Sequence, residues 1–242
     1  MDELTAKKQV VEAGLELVEK GLIARTWGNV SCRVGEDGFV ITPSGKAYDG
    51  LSASDIVRCK TEDASYTGEI KPSSEKKVHA LIYRARPDAG FVIHTHQKLA
   101  SAVSVLDMAA IPGGLSPDGQ PVPLAEYGLP GTKKLSANVA GALEKTGGKT
   151  LIMARHGTVC FGDCREEAFK NALALEKTAE AFIAELFGKA GGRRYSSEKD
   201  LFAYYCEKAS ARYPGVPQNL GSSRRDGNGF ILTLGGEALA YP

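Results

Sequence analysis

The apolar run Phe91-Val92-Ile93 leads directly into His94-Thr95-His96, and no other stretch constrains the chain so tightly. On a β-strand, side chains two residues apart project from one face, so His94 and His96 offer two imidazoles to a single point. Downstream, the run Leu151-Ile152-Met153-Ala154 ends in Arg155-His156-Gly157, and upstream Lys71-Pro72-Ser73-Ser74-Glu75 brings two hydroxyls and a carboxylate. The chain has four histidines, and three of them stand at or beside the ends of strand-like runs. This pattern points to a three-histidine metal site with Glu75 beside it. The competing reading is neutral sheet histidines hydrogen-bonded to their neighbours.

At 242 residues the chain can form one large domain or two small ones. Folding would bury roughly 70–75% of its unfolded surface, so a core needs no disulfide or structural metal. Lys and Arg total 30 against 29 for Asp and Glu, which gives no global charge to attract nucleic acid or an anionic membrane. An anionic ligand would have to be caught locally. No run approaches the ~18 to 20 apolar residues of a membrane span, and Met1-Asp2-Glu3-Leu4 carries acids where a secretion signal has a basic region. The expected location is the cytoplasm. Of the five cysteines, Cys32, Cys59, Cys160, Cys164 and Cys206, none has CxxC spacing. Reduced, structural thiols are the reading, with Cys160 and Cys164 as a metal pair the alternative.

Periodicity predicts an amphipathic helix over 3 to 20 with Gly21 as its stop, and a hairpin from strands at 29–34 and 39–42 joined by Gly35-Glu36-Asp37-Gly38. A short turn over 51–57 leads into a further strand through Arg58 and Cys59. Ser73 or Ser74 is placed to cap a helix reaching about Arg84. Helices are expected at 98–106 and 136–145, a strand at 150–154, a turn at Cys160-Phe161-Gly162-Asp163 and a long helix over 165–187. The Pro- and Gly-rich segments at 111–121 read as loops. Beyond Gly188 a helix at 198–211 is followed by a Pro- and Gly-rich stretch. No repeat and no nucleotide-binding glycine motif is present.

A phosphate group needs small hydroxyls and free backbone amides in tight turns. Gly28-Asn29, Ser44-Gly45 and Ser73-Ser74 meet that need, although each alone is an ordinary turn or cap. Glu75 can act beside a metal first as ligand and then as proton carrier, or can be an acid favoured by a helix N-terminus. His79, four residues on, shares the helical face of Glu75 and suits either a hydrogen bond behind it or plain packing.

Taken in order over about residues 3 to 187, six motifs resemble the class II aldolase and adducin family. They are Thr26-Trp27-Gly28-Asn29-Val30-Ser31, Ile41-Thr42-Pro43-Ser44-Gly45, Lys71-Pro72-Ser73-Ser74-Glu75, His94-Thr95-His96, Glu126-Tyr127-Gly128-Leu129-Pro130-Gly131-Thr132 and His156-Gly157. The resemblance implies an α/β fold with a central, mostly antiparallel sheet sandwiched by helix layers, and a homotetramer with active sites at subunit contacts. It implies one Zn2+ per subunit on His94, His96 and His156, with Glu75 as ligand or proton shuttle. Gly28, Asn29, Ser44, Gly45, Ser73 and Ser74 would hold the substrate phosphate, and Tyr127 would serve the departing aldehyde oxygen. The implied reaction is reversible cleavage of a ketose 1-phosphate, of fuculose or a 5-deoxypentulose type, to dihydroxyacetone phosphate and an aldehyde. The implied domain spans 1–190, with 191–242 a partly loose extension reaching the site through Tyr195, Tyr204, Tyr205 or Tyr213. Arg155 is a departure, since many relatives carry Asn or His there. Alternatives on the same scaffold are a pentulose-phosphate 4-epimerase, whose pattern has Asp in place of Glu75, a sugar-acid phosphate decarboxylase, and a non-catalytic adducin-like binding module.

Overall fold

Asp2 starts the first helix by accepting the Thr5 amide on its carboxylate, 3.0 Å away, and Glu3 adds negative charge to the first turn. This helix, α1, runs Glu3–Glu19 and buries Ala6, Val10, Ala13 and Leu17. It ends as expected at Gly21, which takes φ +66 while the Leu22 amide donates to Leu17 and its own amide to Val18. The computed structural model describes residues 1–23, 27–106, 108–116, 118–189, 220–226, 229–234 and 237–241, and the chain divides into two units, Met1–Leu186 and Phe187–Pro242.

In the first unit the expected hairpin is present as β1 (Asn29–Val34) and β2 (Gly38–Ile41), followed by β3 (Val57–Lys60). Then come α2 (Lys76–Ala85), β4 (Phe91–Thr95), α3 (Lys98–Val103), β5 (Ala110–Ile111), β6 (Val122–Ala125), α4 (Lys133–Leu143), β7 (Thr150–Met153), β8 (Gly157–Gly162) and α5 (Arg165–Lys189). The strands form one sheet in the order β3-β2-β1-β4-β8-β7-β6-β5. Every neighbouring pair is antiparallel except β6 with β7, so the sheet is mixed. The expectation of a mostly antiparallel sheet therefore holds only broadly. The one parallel contact arises because α4 carries the chain back across a face between β6 and β7, as a parallel connection requires.

Strand alternation splits the apolar residues between two cores. On one face Val30, Val40, Phe91, Ile93, Ile152 and Cys160 pack with α1, α3 and α5; on the other Phe39, Ile41, Val92, Leu151, Val159 and Phe161 pack with α2 and α4. Helices thus cover both faces of the sheet. The strand β4 lies between β1 and β8 with all five of its residues buried, which explains its apolar run.

Several expectations are corrected. Helix α2 starts at Lys76, with Glu75 rather than a serine at the N-cap; the Ser73 hydroxyl instead accepts the Glu75 amide at 3.2 Å. The segment read as a turn at 160–163 is mostly the end of β8. Strand β6 was hidden by its two flanking loops and by Pro123, which pairs with Ala110 of the short edge strand β5. Cys32, Cys59 and Cys160 are buried free thiols and Cys164 is an exposed one. Burial pushes the Cys32 and Cys59 thiols up to about 11.

The second unit contains β9 (Leu220–Asp226), β10 (Gly229–Leu234) and β11 (Glu237–Tyr241), an antiparallel meander in the order β11-β10-β9. The Pro- and Gly-rich composition there does not predict strands. Thr26, the helix expected at 198–211, Cys206 and the four candidate tail tyrosines lie outside the described residues.

Gly157 shows how tightly the sheet centre is packed. A Cβ there would sit 2.5 Å from the Thr95 carbonyl oxygen and 3.0 Å from the His94 ring, whereas nothing lies within 4 Å of a Cβ at Gly141 on α4. Gly157→Ala should cost about 1–3 kcal/mol through overpacking. Gly141→Ala should be stabilising by up to ~1 kcal/mol, because alanine is the better helix former. Denaturant unfolding of the two variants checks both signs.

Candidate metal centre and substrate cavity

The sheet register brings the site together. Asn29 of β1 lies opposite His94 of β4, and His94 lies opposite Val159 of β8, so the ends of three adjacent strands meet. His96 follows directly after β4, and His156 stands in the three-residue turn between β7 and β8. In that turn Arg155 adopts φ +56, a left-handed conformation costing an ordinary residue about 1–2 kcal/mol. Three backbone bonds hold it: Ala154 to the Ala125 carbonyl, Arg155 to Ser104 and His156 to Met153, at 2.8–3.1 Å. Gly28 needs its φ of +122 for a similar reason, since a Cβ there would lie 2.8 Å from the His94 carbonyl oxygen.

The three imidazoles of His94, His96 and His156 form a nearly equilateral group with ring centroids 4.8, 4.9 and 5.2 Å apart. The His94 Nδ1 faces the Thr158 carbonyl at 2.8 Å and donates to it, which leaves Nε2 as the nitrogen turned toward Glu75 and the other imidazoles. That Nε2 lies 3.1 Å from His96 Nε2 and 2.8 Å from Glu75 Oε2. The other oxygen, Glu75 Oε1, is 3.2 Å from His156 Nε2 without hydrogen-bond geometry and accepts no hydrogen bond.

Glu75 is only 6% exposed. Burial favours its neutral form, but His94, His156 and the Asn29 amide outweigh it and hold the carboxyl far below its ordinary range. Burial likewise works against a charged His94, yet the adjacent Glu75 carboxylate raises the ring above its usual value. Burial, then the neighbouring His94 and His156, push His96 down to about 4, and burial followed by His94 lowers His156.

This donor set fits a metal ion. Imidazole nitrogens bound to zinc at about 2.0–2.1 Å in a tetrahedron stand about 3.3 Å apart, close to the 3.1 Å between the His94 and His96 Nε2 atoms. The partnerless buried oxygen of Glu75 is a further acceptor that a cation would satisfy. The three histidine donors lie within 4.8 Å of one another.

A cavity of about 440 Å³ opens onto this cluster. Gly28, Asn29, Ser44, Gly45, Ser73 and Ser74, all expected at a phosphate, line it together with Glu75, His94, His96 and His156. The loops that carry the serines are fastened to each other: Ser44 donates its amide to Lys71 at 2.9 Å, and Ser73 donates to Thr42 at 3.0 Å. Arg155 is the one Lys or Arg among the described residues lining the cavity. Tyr127 is not brought to it within one chain; it is 44% exposed and lines a neighbouring cleft that shares Arg155. Asn29 is nearly buried, and its side-chain amide already serves Glu75 and His79.

Sequence reasoning missed Ser31 and Tyr83, whose hydroxyls stand behind the site at 2.8 Å from each other. Their spacing was the available signal: Ser31 is two residues beyond Asn29 on a strand, and Tyr83 is four beyond His79 on a helix.

Such a cluster of imidazoles and carboxylate on a helix-covered sheet could hold a metal ion, and the sequence comparison defines the group. The chain belongs to the class II aldolase and adducin family: the family described as Class II Aldolase and Adducin N-terminal domain matches residues 8–183. L-fuculose phosphate aldolase of Escherichia coli K12 is 34% identical over 194 residues, which cover 77% of this chain and 86% of that protein. The 5-methylthioribulose-1-phosphate/5-deoxyribulose-1-phosphate aldolase of Rhodospirillum rubrum is 34% identical over 181 residues, 72% of this chain and 78% of that one. Among solved structures, an L-fuculose 1-phosphate aldolase superposes with a TM-score of 0.66 at 27% identity, covering 85% of this chain and 96% of that one.

The buried histidine behind the site gives the fold a pH dependence. Burial, then the nearby His94, push His79 down to about 3 from 6.5, so between those values it stays neutral in the folded chain while the unfolded chain binds a proton. Its contribution is therefore complete above pH 6.5 and is lost as pH falls toward 3, at up to about 1.4 kcal/mol per pH unit. Urea unfolding of metal-free protein between pH 7 and 4.5 should show this loss, and His79→Phe should lessen it, with His96 and His156 keeping their share.

Proposed function

We propose that this protein is a zinc-dependent class II aldolase that reversibly cleaves a ketose 1-phosphate to dihydroxyacetone phosphate and an aldehyde. The carrying observation is one cavity lined both by three convergent imidazoles with a buried, ionised Glu75 and by hydroxyl- and glycine-bearing loops. The names of the relatives support the substrate class, since they are aldolases of fuculose phosphate and of 5-deoxypentulose 1-phosphates. Among the described residues no helix is long and apolar enough to cross a membrane, and the balanced charge gives nucleic acid no general hold, in keeping with a cytoplasmic enzyme of small phosphorylated sugars.

His94, His96 and His156, with Glu75, would hold the ion, which as a Lewis acid would polarise the ketose carbonyl. The phosphate would lie against Gly28, Ser44, Gly45, Ser73 and Ser74, where hydroxyls and turn amides donate hydrogen bonds. That anchor fixes the carbonyl end of the sugar against Glu75 and pays for orientation before the bond breaks. In cleavage, a base takes the proton from the hydroxyl beyond the breaking carbon–carbon bond, that carbon becomes the aldehyde, and the bonding pair stays with the ketose fragment. Glu75, ionised in the free site, would first take up the proton released from that hydroxyl, relayed through the base and solvent, and would then pass it to the carbon left with that pair. The base is water or Tyr127, and Tyr127 would enter from a neighbouring subunit of a homotetramer, since within one chain it stands outside the cavity. Residues 1–190 form the catalytic domain in this reading, and 191–242 an extension.

Zinc-loaded protein incubated with fuculose 1-phosphate, ribulose 1-phosphate and 5-deoxyribulose 1-phosphate should release dihydroxyacetone phosphate from at least one of them. Absence of cleavage of every ketose 1-phosphate, or turnover of ribulose 5-phosphate alone, would sink the reading. Ser44→Ala removes an exposed hydroxyl from the phosphate loop. It should raise KM about 10-fold, the worth of a hydrogen bond to a charged group, and leave kcat within about twofold. Steady-state kinetics on the preferred ketose 1-phosphate separates the two.

A further inference from the structure

Behind Glu75 lies a file of buried polar groups that aldol cleavage does not by itself require. Asn29 Nδ2 donates to Glu75 Oε2 at 3.2 Å, and the Asn29 Oδ1 faces His79 Nε2. His79 Nδ1 faces the Ser31 hydroxyl at 2.6 Å, and that hydroxyl meets the Tyr83 hydroxyl at 2.8 Å. Asn29, Ser31 and His79 are buried, His79 with no exposed surface at all, and Tyr83 is 2% exposed.

The chemistry of the groups orders the file. An ionised carboxylate only accepts, so the Asn29 atom facing Glu75 must be its NH2. The Asn29 oxygen then accepts, which makes His79 Nε2 a donor. A neutral imidazole has one donor and one acceptor, so Nδ1 accepts from Ser31, and Ser31 in turn accepts from Tyr83. Donation runs in one direction from the core to the carboxylate, and aligned bonds of this kind reinforce one another in a low dielectric. The backbone supplies the spacing. Glu75, His79 and Tyr83 recur every four residues, about 6 Å along the helical path, and Asn29 and Ser31 recur every two residues, about 6.7 Å along the strand. The two ladders therefore interlock rung by rung.

The two oxygens of Glu75 are left unequal. Oε2 carries the Asn29 N–H and lies 2.8 Å from His94 Nε2, while Oε1 lies 3.2 Å from His156 Nε2 and accepts no hydrogen bond. We infer that the chain Tyr83–Ser31–His79–Asn29 pins Oε2 and leaves Oε1 as the oxygen that meets the metal and carries the substrate proton, which makes His79 a positioning residue for Glu75. This rests on the aldolase reading for the proton step, but not for the hold on the carboxylate. It also gives Asn29 a task distinct from contact with phosphate.

The test uses full-length protein loaded with Co2+, whose visible absorption reports the donor set. His79→Phe removes both ring nitrogens and should weaken Co2+ about 10–100-fold in chelator competition and change the absorption bands. His79→Gln, which retains a donor toward Asn29, should recover most of the affinity and the original bands. Tyr83→Phe keeps the ring beside Phe39 and removes only the far hydroxyl, so it tests the chain even where His79→Phe does not fold. It should move affinity and spectrum in the same direction by less. With a cleaved ketose 1-phosphate, kcat should fall in both variants while KM stays within about twofold. Folded His79→Phe and Tyr83→Phe proteins with wild-type Co2+ affinity and bands would overturn the inference. Failure of the wild type to cleave any ketose 1-phosphate would remove the aldolase reading alone, because the Co2+ measurements still decide the hold on Glu75.

Discussion

A charged carboxylate under the surface dominates this architecture. Taking an ion of that kind out of water costs several kcal/mol even after relaxation, so Glu75 can stay ionised only where cations and donors are already waiting. His94 and the Asn29 N–H supply part of that compensation, and a bound cation would supply the rest. Each supporting group is itself fixed by backbone: His94 through the Thr158 carbonyl, His156 through the β7–β8 turn, and Asn29 through its place opposite His94. The sheet centre is thus arranged as much around one charge as around its apolar residues.

The strand carrying His94 was readable because burial on both faces leaves a continuous apolar run, and the i, i+2 spacing of its histidines survives as a shared direction. The long helix α5 was readable for a parallel reason, since Ala168, Ala172, Leu175 and Ala179 recur at helical spacing and are buried. Strands β5 and β6 were hidden because β5 is a two-residue edge strand and β6 carries Pro123. The start of α2 was misjudged because serine hydroxyls favour caps, whereas here Ser73 bonds the Glu75 amide in the turn before the helix and leaves the carboxylate directed at the imidazoles.

At the site, the histidines, Glu75 and the loop serines were legible as residue types, but the division of labour among them was not. Asn29 reads like a turn residue, and only the register of β1 against α2 shows its amide spanning Glu75 and His79. Arg155 gave a subtler clue. Asn and His are among the residues most tolerant of left-handed backbone, and Arg155 occupies that conformation without being one of them. The turn keeps its shape through three backbone bonds, so the position is free to carry a guanidinium to the cavity wall.

The meeting of β1, β4 and β8 has a thermodynamic side. Its strands are neighbours in space and far apart along the chain, so the imidazoles converge only once the middle of the sheet has closed. An unfolded chain offers scattered histidines, while the folded one offers three together with a carboxylate. Any ion that prefers the second arrangement adds its own binding free energy to the fold, about 4 kcal/mol when its free concentration is a thousand times Kd. For a domain whose whole margin is commonly about 5–15 kcal/mol, metal supply then sets how much of the protein survives as well as how much of it works.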